Sequence, residues 1–138
     1  MSEPAAPELF ELEFNEPSAR PDAVAQPRPA QMTIALDGEI GLREYDQIAD
    51  QLFRFSSRGV LRVVLDLSDV GHLDYRIVRP LMLRAAGLRH LGGDLKLCGL
   101  SPYLYAIFRS AGAADAFDCY AHAVDAVQAF ERAVLTAG

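Results

Sequence analysis

The chain has 138 residues, 51% of them hydrophobic and 23% charged, with a formal net charge of -6. That length fits one domain with a tail, and that apolar content is enough for a core. The negative charge excludes a general nucleic-acid binder, which needs a cationic footprint, and it suits anionic membrane surfaces no better.

Residues 1–16 are acidic and carry Pro4 and Pro7, without the basic start and apolar stretch of a secretory signal. No run approaches the roughly 18 apolar residues of a spanning helix. A cytoplasmic protein with no membrane insertion is therefore expected. Residues 1–8 read as an acidic tail ahead of one domain at 9–135.

Residues 9–14, LFELEF, alternate apolar and charged, as a strand does, with Phe10, Leu12 and Phe14 inward. A proline-rich loop at 15–30 follows, in which Pro17, Pro21, Pro27 and Pro29 forbid regular structure. Met32–Leu36 is a second strand, ended by an Asp37-Gly38 turn. Residues 42–57 have helical spacing, with Tyr45, Ile48, Ala49, Leu52 and Phe53 on one stripe and Gly59 as the stop. The run VLRVVLDL at 60–67 is β-branched and almost continuously apolar, as in a central strand buried on both faces.

A helix is expected over 76–91, then a short strand at 95–98. Ser101-Pro102 is a helix start, serine at the N-cap and proline at the first helical position. The helix it opens carries Leu104, Ile107 and Phe108. A last short strand at 116–119 precedes an amphipathic helix at 123–135 through Val124, Val127, Phe130 and Val134. The order β-β-α-β-α-β-α-β-α implies an α/β layered fold with a mixed, largely parallel sheet and about four helices. The opening pair of strands is free to lie antiparallel.

Cys98 and Cys119 sit in apolar segments and are expected to be buried small hydrophobes. No CxxC and no histidine pair accompanies them, so no metal or cofactor is expected. No phosphate loop, dinucleotide fingerprint or nucleophile–base set occurs, and an enzyme is not expected.

Five segments in this order resemble the STAS family, the fold of bacterial anti-sigma-factor antagonists. They are LDGEI (36–40), VVLDLSDVGHLD (63–74), GGDLKLCGLSP (92–102), FRSAGAADAF (108–117) and DAVQAF (125–130). Members of that family commonly place a serine or threonine phosphoacceptor just after an aspartate that follows the central strand. The aspartate matches at Asp74, but Tyr75, Arg76 and Ile77 follow it. The resemblance implies a protein-binding surface at this loop and helix, without the usual Ser/Thr switch. It implies as partner an anti-sigma factor or a related kinase-fold regulator. The alternative is the ATPase of an ABC transporter, lipid transporters above all. Self-association is left open.

The candidate partner-binding residues are Asp74, Tyr75, Arg76, Arg79, Met82 and Leu83. Asp74 is placed to cap the following helix. Pro80 would delete a hydrogen bond in a helix begun at Tyr75, so a late start near Arg79, or a kink, is expected. No acid lies between Asp74 and Asp94, while Arg76, Arg79, Arg84 and Arg89 do. This basic stretch in an acidic protein predicts a preference for an acidic partner, with Arg76 a permanent charge in place of a switch. Ile77, Leu81, Ala85 and Leu88 share the stripe expected to face the sheet. Met82 and Leu83 fall off it, either as docking residues or as the border of the core. His72 is expected to be a solvated loop side chain or a local hydrogen-bonding residue.

Overall fold

A computed structural model describes residues 10–15 and 30–137, with side chains for 30–133. The acidic tail at 1–8 and residues 16–29 of the proline-rich loop lie outside the described residues. The same holds for the expected inward facing of Phe10, Leu12 and Phe14. The strands are β1 (Phe10–Asn15), β2 (Gln31–Ile40), β3 (Arg62–Leu73), β4 (Asp94–Cys98) and β5 (Cys119–Tyr120). The helices are α1 (Leu42–Ser56), α2 (Val78–His90), α3 (Pro102–Ser110) and α4 (Ala123–Ala137). A 3-10 turn at Tyr75–Ile77 leads into α2.

The sheet runs in the order β1-β2-β3-β4-β5. β1 is antiparallel to β2, and every other pair is parallel. Parallel neighbours require right-handed crossovers, which put α1, α2 and α3 on one face. Their buried side chains join Met32, Ile34, Val63, Leu65, Leu67, Leu95 and Leu97 in one cluster. α4 follows the last strand and covers the opposite face, where Ala126 and Phe130 pack on Val64 and Cys98. β3 alternates between the two clusters, which is why its sequence is apolar at successive positions.

Several boundaries differ from the sequence expectation. The Asp37-Gly38 pair does not end β2. The strand continues to Ile40 through register shifts on either side of Asp37-Gly38, with Gly38 at φ 76°. At both shifts the extra residue lies on β3, between Asp66 and Asp69 and between Val70 and His72, so bulges in the partner strand carry the ladder past Asp37-Gly38. β3 runs further past its expected end at Leu67 than β2 does past Leu36, pairing Ile40 with Leu73, whereas β4 ends opposite Asp66. The β2–β3 pair therefore overhangs the rest of the sheet. β5 is shorter and later than expected, because Phe117 turns into the core instead, edge-on to Phe108 at 5.7 Å.

Three side chains also depart. Phe53 and Val124 are exposed, not on the buried stripes expected for them. A step of one residue turns a helix by about 100°, so Phe53 points away from buried Leu52. Cys98 is buried as expected, but Cys119 is exposed on the edge strand. Val134 lies outside the described side chains.

The helix starts agree. Ser101 Oγ accepts from Leu104 N–H at 3.1 Å, with Pro102 opening α3. α2 begins at Val78, so Pro80 is its third residue and deletes only an N–H that has no intrahelical acceptor.

Candidate functional site

The C-terminal ends of the parallel strands and the N-termini of the helices share one end of the fold. There Asp74 N–H donates to the Ile40 carbonyl at 2.9 Å, fixing the exit of β3 against β2. Asp74 Oδ1 then accepts from Arg76 N–H at 2.9 Å and caps the 3-10 turn. The Arg76 guanidinium folds back on the same carboxylate, Nη2 to Oδ2 at 2.7 Å and Nε to Oδ1 at 3.1 Å. The side-chain hydrogen bond from Arg76, then the backbone one, lower the Asp74 pKa from 3.8 to about 2.

This fork changes the expectation for Arg76. It does not stand as an uncompensated charge, because Asp74 neutralises it two residues away. At the other end of α2, Arg89 donates to Asp94 Oδ1 at 2.8 Å and to the Ala116 carbonyl at 2.5 Å. Two of the four arginines thus staple the ends of α2. Arg79 and Arg84 are exposed and have no ion pair among the described residues. The cationic part of the surface is these two.

The fork has a measurable signature. In a carbon-detected NMR titration, Asp74 should protonate with a midpoint near 2. Arg76→Ala should return it toward the ordinary carboxylate range. The stabilisation carried by a depressed carboxyl is present above its unfolded pKa and is lost as pH falls through about 2. A wild-type midpoint near 4 would rule the fork out in solution.

Tyr75 is 66% exposed and Leu83 65%. Met82 is half-buried and packs against the core, so it borders the core and only Leu83 stands fully clear. Ile77, Leu81, Ala85 and Leu88 are buried, as the stripe predicted. Tyr75, Arg79 and Leu83 are the exposed, uncommitted members of the candidate set.

His72 is exposed and hydrogen-bonded, but to a distant element rather than locally. It lies on the overhang of β3, with Nδ1 2.6 Å from the hydroxyl of Tyr103 on α3. Nothing in the sequence around Tyr103 signals that contact, which spans two elements. Ser68 donates to Asp66 Oδ1 at 2.6 Å, a local bond within β3 that commits its hydroxyl. Burial, then the charge of Asp66, push the Cys98 thiol up to about 12, so it is a thiol and not a nucleophile. No cluster of metal-ligating side chains occurs among the described residues. No described helix is long and apolar enough to cross a membrane.

Residues 24–119 match the family model described as Mlab, STAS domain. The chain belongs to the STAS domain family. A curated relative of this STAS domain is a Bordetella bronchiseptica protein named as a candidate anti-sigma factor antagonist, BtrV. It is 29% identical over 99 residues, covering 72% of this chain and 85% of BtrV. The fold is similar to that of the Bacillus anti-sigma factor antagonist SpoIIAA in its unphosphorylated form, with a TM-score of 0.67 at 20% identity. That match covers 88% of this chain and 96% of SpoIIAA. A Thermotoga maritima protein described as a candidate anti-sigma factor antagonist has a TM-score of 0.64 at 16% identity, covering 72% of this chain and 87% of its own. The four helices, the parallel strands and their order are those of the STAS fold. In this STAS domain, Tyr75, Arg76 and Ile77 occupy the positions after the capping aspartate.

Proposed function

We propose that this STAS domain is a non-catalytic regulatory module that acts in the cytoplasm as an anti-sigma-factor antagonist. It docks an anti-sigma factor, or a related kinase-fold regulator, through the turn after β3 and the first half of α2. The observation that carries this is the row of Tyr75, Arg79 and Leu83, exposed side by side on a rigid element that opens at the Asp74 cap. An aromatic, an arginine and a leucine without internal partners make an anchor suited to a partner with an apolar pocket and an acidic rim. No serine or threonine follows Asp74, so Ser/Thr phosphorylation does not switch this surface. The module binds constitutively, by competing for its partner.

Arg79→Glu with Leu83→Asp tests this. Both side chains point to solvent, so the fold should persist by circular dichroism. Affinity for the cognate anti-sigma factor should fall by about 100-fold or more, near 2.7 kcal/mol. Unchanged affinity would remove this face as the docking site.

A second reading is an accessory subunit seated on the ATPase of an ABC transporter. The lack of a Ser/Thr acceptor after Asp74 favours it, since a permanent scaffold needs no switch. Stable co-purification with a membrane ATPase, rather than with a soluble regulator, decides for it.

A further inference from the structure

β3 and β4 are neighbours in the sheet, so the elements that leave their C-terminal ends are neighbours too. The 3-10 turn follows β3, α3 follows β4, and the two are in contact. Tyr75 is the first residue of the turn and Tyr103 the second of α3. Tyr103 is 53% exposed. A tyrosine on a helix surface ordinarily hops between rotamers in nanoseconds.

The bond to His72 removes that freedom. Imidazole Nδ1 lies 2.6 Å from the Tyr103 hydroxyl, and the two rings are 5.8 Å apart with a tilt of 30°. The bond joins two backbones that are already fixed by other means. The Ile40–Leu73 pairing and the Asp74 N–H hold the end of β3, and the Ser101 cap holds the start of α3. An exposed hydrogen bond between side chains adds little to the stability of the fold. Its effect is on the side chain: it keeps a large ring in one orientation while leaving it open to water.

We infer that Tyr103 is a second aromatic anchor of the docking face, and that His72 is a positioning residue that sets its ring before the partner arrives. This rests on the docking proposal and takes the same occupant, an anti-sigma factor or related kinase-fold regulator, because the surface is continuous. His72 is three residues from Tyr75 in the chain, and the turn that carries Tyr75 lies against α3. Charge does not select the contact on this side. Asp74 and Arg76, next to Tyr75, neutralise each other, and exposed Glu39 stands opposite His72 in the β2–β3 register. The partner meets the Tyr103 ring with apolar surface and meets charge at Arg79. Tyrosine offers a large contact area on two torsions, and a ring ordered beforehand avoids the entropy loss of ordering it on binding.

Two measurements on the full chain test the inference. In NMR of the free chain, three-bond couplings to the Tyr103 β-protons should report one rotamer in wild type and an average in His72→Ala. Averaging already in wild type overturns the positioning role. The second measurement is a double-mutant cycle, with purified anti-sigma factors and kinase-fold regulators of the host as probes and circular dichroism as the check on folding. Tyr103→Ala should weaken binding by roughly tenfold or more. His72→Ala should weaken it by about fivefold, the effect of leaving the ring to be ordered on binding. In the Tyr103→Ala background His72→Ala should change nothing further, because His72 acts through that ring. An equal loss in both backgrounds shows that His72 meets the partner directly and overturns its positioning role. Unchanged affinity for Tyr103→Ala, where Arg79→Glu with Leu83→Asp still abolishes binding, overturns the second anchor and leaves the docking proposal standing. Unchanged affinity in all of these variants, or no binding of wild type to any such regulator, overturns both.

Discussion

Gly99→Ala should lower the melting temperature by roughly 10 °C. Gly99 joins β4 to the Ser101 cap of α3, with φ at +73°. Its N–H donates to the Tyr120 carbonyl at 3.0 Å, which holds the backbone in that left-handed conformation. A Cβ there would overlap Ser68 Oγ and stand 2.8 Å from Ser68 N and 2.9 Å from Ser68 Cα. A rotamer change moves the hydroxyl away but leaves the β3 backbone in place. The left-handed penalty is about 1–2 kcal/mol. Overpacking against fixed backbone adds about 1–3 kcal/mol. Thermal and urea unfolding of wild type and variant check the sum. A melting temperature unchanged within a degree would mean that β4 and β3 do not approach this closely.

Lys96→Ala should cost about 2–4 kcal/mol, more than a surface lysine can. Lys96 lies on β4 with its side chain 9% exposed beneath α4. Its ammonium donates to Asp118 at 3.0 Å and to Asp94 at 3.1 Å, and stands 4.8 Å from the centre of the Phe130 ring. Burial alone would lower its pKa. Hydrogen bonds to Asp118 and Asp94 outweigh that and raise it above 10.5. A raised lysine pKa stabilises the fold fully below the unfolded value and loses that contribution as pH rises through the folded one. The stability gap between wild type and Lys96→Met, which keeps the stem and drops the charge, should therefore be constant to about pH 10 and close above it. Melting curves from pH 8 to 12 measure this, the shared tyrosine titration cancelling in the difference. A gap that widens in alkali would contradict the sign.

Much of the candidate site was legible as an order of residues. Asp74 as a cap follows from its place after a strand, and the late helix start follows from Pro80 alone. The stripe of Ile77, Leu81, Ala85 and Leu88 follows from the helical period. The neutralisation of Arg76 did not, because it needs the 3-10 turn to fold the guanidinium back onto Asp74. Nor did the commitment of Arg89, whose acceptors Asp94 and Ala116 come from a strand and a loop that only the fold brings to α2.

The amino-acid order by itself determined the α/β layering, the element sequence and the helix starts. These depend on periodicity, proline and capping, which act over a few neighbouring residues. The tertiary structure alone decided that β2 and β3 run past the expected turn, that Phe53 faces water and that His72 holds Tyr103. It also decided that two of the four arginines are spoken for. Each of those outcomes depends on which element lies alongside, and burial and ion pairing are properties of neighbours in space rather than of position along the chain.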